Sequence, residues 1–161
     1  MRLARLFCIL GSLGMSVSAA GPQGHHGSGR HAASVMGFDQ ERTAHHFLLF
    51  TDGGAIDVGV NDPSDATSRE AIRSHLPHIA AMFGKGDFNA PMLVHDSADV
   101  PGTRVMAARR KTIRYQYVET SSGGRVNIVT NDREALDAVH AFLKFQIEEH
   151  KTGDSTTVRP R

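Results

Sequence analysis

Ten histidines and a single cysteine define the side-chain chemistry open to this 161-residue chain. The most specific local arrangement is His75-Leu76-Pro77-His78, followed by Met82. At about 100° per residue on a helix, His75, His78 and Met82 fall within about 60° of one another, on a stripe beside the apolar one. Two neutral imidazoles one turn apart can share a metal ion, because nitrogen ligation needs only orientation and proximity. Pro77 has no N–H to give the Arg73 carbonyl, and a carbonyl freed in this way can orient an imidazole N–H, the usual support of a metal-bound histidine.

His45 is the candidate for a third ligand, and His95 and His140 are candidates for a fourth. Such a set contains no thiolate, and nitrogen ligands suit copper or zinc better than calcium or magnesium, which prefer oxygen. Met82 would tilt the choice towards copper. Each residue also has a plain structural role open to it: Met82 as core filler, His140 as a hydrogen-bonded residue at the core's border, His45 as the polar start of a strand. His25, His26 and His31 lie where no fixed geometry is expected and are not assigned to the main site.

The elements that must position these residues are legible in outline. His45-His46-Phe47-Leu48-Leu49-Phe50-Thr51 and Ala55-Ile56-Asp57-Val58-Gly59-Val60 flank Asp52-Gly53-Gly54, a hairpin signal. A two-residue loop at Gly53 and Gly54 sets Thr51 opposite Ile56, Leu49 opposite Val58 and Phe47 opposite Val60. His45 then shares the apolar side and His46 points away. Thr67 to Glu70 matches a capping box opening a helix that ends at Gly84, with a kink or break expected near Leu76 before Pro77. Ile72, Leu76, Ile79 and Phe83 form its buried stripe. Met92 to His95, Arg104 to Ala108, Thr112 to Thr120 and Arg125 to Thr130 read as strands. Asn131 caps a final helix running towards His150. The expectation is an α+β domain of order ββαβββα, with a mostly antiparallel sheet of about five to six strands covered by two helices.

Composition narrows the function classes. With 40% hydrophobic and 22% charged residues, the chain is neither fibrous nor disordered as a whole. Residues 1–20 have the pattern of a secretory signal peptide: Arg2 and Arg5, an apolar run from Leu6 to Val17, then Ser18-Ala19-Ala20. Their removal leaves 141 residues without cysteine and with 16 basic against 17 acidic side chains, too little positive charge for a nucleic-acid surface. The apolar run is also too short for a stable membrane anchor. Residues 21–37 read as a flexible His- and Gly-rich leader, 38–150 as the folded domain and 151–161 as a flexible tail. The location implied is periplasmic or extracellular.

Met36-Gly37-Phe38-Asp39, His45-His46-Phe47, Ser74-His75-Leu76-Pro77-His78-Ile79, and Phe145-Gln146-Ile147 with His150-Lys151-Thr152-Gly153-Asp154 resemble a group of short secreted bacterial proteins of unassigned activity. The resemblance spans about residues 36 to 154. Some such chains are labelled aspartate carbamoyltransferase, but this chain is about half the length that a two-domain catalytic subunit needs and lacks the Ser-Thr-Arg-Thr phosphate-binding motif. What the resemblance implies is export and a single domain.

The reading that unites these features is an exported small domain that binds copper or zinc through His45, His75 and His78, completed by His95, His140 or Met82. Metal carriage, buffering or a minor redox function would follow, with the metal ion as partner and any protein partner undefined. Whether the chain is an enzyme stays open at this stage. The alternatives are a metal-assisted hydrolase using Asp96, a protein binding haem non-covalently through His75 or His140, and a metal-free interaction domain with structural or pH-responsive histidines.

Overall fold

The computed structural model describes residues 37–95, 97 and 99–161. The expected signal peptide, almost all of the leader and Asp96 lie outside the described residues. The fold is α+β: a four-stranded antiparallel sheet of β1 (Thr43–Phe50), β2 (Gly53–Val60), β3 (Ile113–Glu119) and β4 (Gly123–Thr130), in spatial order β1-β2-β4-β3. Helices α1 (Ala66–Gly84) and α4 (Arg133–His150) cover one face, and short helices α2 (Asn89–Val94) and α3 (Thr103–Ala108) lie in the connection between α1 and β3. None of the described helices is long and apolar enough to cross a membrane.

The first hairpin turns two residues earlier than its glycines predict. Phe50 pairs with Gly53, Phe47 with Ile56 and His45 with Val58, so Thr51 and Asp52 form the loop. Gly53 and Gly54 are needed inside the strand instead. A Cβ on Gly53, whose φ is 141°, would lie 2.0 Å from the Ile128 carbonyl oxygen, and one on Gly54 would lie 2.2 Å from a Leu143 methyl. Because the displacement is even on each strand, the faces survive it: His45, Phe47 and Leu49 still point to the helices, and His46 still points away.

The segments Met92 to His95 and Arg104 to Ala108, expected as strands, belong to helices, and this lowers the strand count to four. Apolar runs this short carry no decisive period. The Asp87 carboxylate accepts from Asn89 N–H at the start of α2, and Gly102, with φ of 82°, opens α3 against the Ala138 carbonyl, where a Cβ would come within 2.1 Å. The helix caps also move: Asp65 rather than Thr67 caps α1 by accepting from Ser68 N–H, and Asp132 rather than Asn131 caps α4. Helix α1 continues through Pro77 without a break. Ile72, Leu76, Ile79 and Phe83 are buried along it, and this packing holds the helix where one backbone hydrogen bond is missing.

The C-terminal segment, expected as a loose tail, is tied to the sheet. Thr51 N–H donates to the Arg159 carbonyl at 3.0 Å, and Arg159 N–H donates to Leu49 at 3.2 Å. The Arg161 guanidinium pairs with Asp52 at 3.0 Å and lies 4.5 Å from the centre of the Phe50 ring. Nearer α4, the Asp154 carboxylate accepts from Phe47 N–H at 2.9 Å and lies 2.9 Å from His46 Nδ1. The exposed edge of β1 is thereby partly covered.

Candidate functional site

Histidines converge where β1, α1, α2 and α4 meet. His45 enters from β1 because alternate residues of that strand face the helices. His75 comes from the middle of α1, His95 from the C-cap of α2, and His150 from the last residue of α4. All four line one chamber of about 60 Å³, whose remaining walls are apolar except for Gln146.

The rings form a chain. His45 and His150 stack with ring centres 5.7 Å apart and planes 20° apart; His150 meets His95 edge-on at 5.0 Å. Phe38 covers the other side of His45 at 5.7 Å and contacts His75 at the same distance. Two imidazoles bound to one ion have their ring centres about 5 Å apart, given metal–nitrogen bonds of about 2.0–2.1 Å. The spacings are therefore close to those of a shared ion. A ready site is not present: the His45 and His150 rings are stacked, and among the described residues no group of three His, Cys, Asp or Glu side chains is placed to hold a cation.

Burial favours the neutral form of His45, His75 and His150. The pKa of His45 falls to about 4, first through loss of water and then through His46. That of His150 also falls to about 4, through burial and then through His45 and His95. The pKa of His75 is lowered by burial and by His78. Neutral imidazole is the form that ligates a transition metal. His95 Nε2 donates to Gln146 Oε1 at 3.0 Å, and Nδ1 lies 4.0 Å from the Glu149 carboxylate. His45 Nε2 and His75 Nε2 are buried without a hydrogen-bond partner, an omission that costs about 1–3 kcal/mol per group.

The other expected ligands lie elsewhere. His78 is exposed, with Nδ1 donating to the Ser74 carbonyl at 2.7 Å; a helix carbonyl does orient an imidazole, but it is not that of Arg73. His140 sits ten residues before His150, about 15 Å along the helix axis, and Nε2 donates to the carbonyls of Phe50 and Gly53 at 2.9 and 3.0 Å. Met82 packs at the border of the core and does not line the chamber. Asp57 and Glu119 are on strands separated by β4 and pair with Arg125 and Arg73. The chamber, at about 60 Å³, is well below the roughly 300–1,000 Å³ of pockets for organic ligands.

Sequence reasoning passed over His150, Gln146 and Phe38. The first two were within its reach: Leu143, Gln146, Ile147 and His150 recur at the three- and four-residue spacing of a helix face, and extending the apolar stripe of α4 by one turn includes both. Phe38, which stands outside any strand or long helix, gives no such signal. No family model, curated protein or solved structure matches this chain.

Proposed function

We propose that the chain is an exported domain that binds a transition metal, copper or zinc, through His45, His95 and His150, with His75 beside them, and serves metal carriage or buffering. The observation that carries this reading is the row of half-buried imidazoles lining one chamber, spaced 5.0–5.7 Å between ring centres, with His45 Nε2 unpartnered. Coordination requires rotation of His45 and His150 out of their stack about ordinary side-chain torsions. Gln146 supports the reading by accepting from His95, because a fixed N–H on one ring nitrogen leaves the other free to ligate. Export rests on the pattern of residues 1–20.

The test is calorimetric titration of the mature chain with Cu(II) and Zn(II), in a background where His25, His26 and His31 are alanine. One ion should bind per chain. His45→Ala/His150→Ala should abolish that binding, while His78→Ala and His140→Ala retain it. Unchanged stoichiometry and affinity in the first pair would end the assignment.

A further inference from the structure

The chamber behind the histidines has chemistry of its own. Phe47, Ile56, Val58, Leu76, Ile79 and Ala90 form its apolar walls. Its volume of about 60 Å³ exceeds the roughly 10–15 Å³ that one water needs and falls short of the roughly 150 Å³ that admits benzene. Voids of this size are few in native cores, and one larger side chain at Ala90 would fill it. Water is a poor occupant of the apolar part, because an ordered water needs about two to four polar partners and the surface facing the space is almost wholly hydrocarbon. Away from the imidazole nitrogens no charged side chain lines the space, so its hydrocarbon part offers an ion nothing.

We propose that this chamber is a binding site for one small, uncharged, apolar molecule of two to four heavy atoms, of the size of dioxygen. The inference does not depend on metal binding, because the apolar walls exist without an ion, and it is tested on metal-free protein. Aromatic and aliphatic contact supplies the attraction, and the size of the space limits how much of a larger molecule the walls can enclose.

The experiment uses the chelator-treated chain with ¹³C-labelled Ile, Val, Leu and Ala methyl groups, studied by NMR under xenon pressure and separately under dioxygen pressure. Xenon should shift the methyl signals of Ile56, Val58, Leu76 and Ile79 saturably, and paramagnetic relaxation by dioxygen should be strongest at the same methyls. Ala90→Leu, which fills the chamber, should remove the saturable response. Ile79→Val, which enlarges it with little risk to folding, should strengthen xenon binding several-fold and keeps the test decisive if Ala90→Leu does not fold. Responses that are absent, spread evenly over methyls outside the chamber, or unchanged in Ile79→Val would overturn the proposal. Because both gases are read without metal, failure here leaves the metal reading standing, and failure of the metal titration leaves this one standing.

Discussion

The two histidines of α4 meet opposite surroundings. His140 faces the turn of the first hairpin, where the carbonyls of Phe50 and Gly53 take its N–H and Arg161 ties Asp52 to the neighbouring strands. Around His150, about 15 Å further along the helix, the neighbours are the rings of His45, His95 and Phe47. The polar groups beside it include two buried imidazole nitrogens without partners. One residue type therefore acts as a cross-brace where backbone oxygens face it and stays chemically available where hydrocarbon and other imidazoles face it. Satisfaction of hydrogen bonds, rather than residue type or burial alone, separates the two regions.

The sharpest way to break this contrast is metal affinity. His45→Ala/His150→Ala should weaken Cu(II) binding by more than about a thousandfold, about 4 kcal/mol, measured against a competing chelator, while His140→Ala should leave it unaltered. An equal loss in both would erase the distinction.

The next effect is acid sensitivity. His45 and His150 have folded-state pKa values of about 4, below the ordinary 6.5, because burial penalises the charged ring. Between those values the unfolded chain binds protons that the folded chain refuses. The stability due to their neutrality is thus fully present above about pH 6.5, declines as pH falls, and is lost by about pH 4. At about 1.4 kcal/mol per pH unit, the loss is on the order of 3 kcal/mol for each group. Urea unfolding of metal-free protein over this range should show the slope, and H45Q/H150Q should flatten it.

His140→Ala should destabilise the fold by about 1–3 kcal/mol in the same assay, by leaving two hairpin carbonyls short of a donor. The smallest effect belongs to His78→Ala. Its ring is exposed and bonds only to its own helix, so stability should change by less than about 0.5 kcal/mol. A large loss there would mean that His78 contributes to the buried face together with His75.

Side-chain parity along β1 was legible before any coordinates: His45 inward and His46 outward follow from alternation, and a turn displaced by two residues could not reverse them. The buried stripe of α1 was legible for the same reason, since Ile72, Leu76, Ile79 and Phe83 repeat with the helix. Segments of six residues were not, because Asn89–Val94 and Thr103–Ala108 are too short for either period to show. His75 and His78 share a motif but not an environment, as the edge of the buried face runs between them.

From local pattern alone come the strand faces, the two long helices, the α+β class and the abundance of histidine, because each depends on residues within a few positions of one another. Partnership required the folded chain. Which imidazoles stand together, that His150 joins His45 while His140 braces a turn, and that the last residues grip the sheet all depend on contacts between positions up to about a hundred residues apart, where sequence periodicity carries no information on distance.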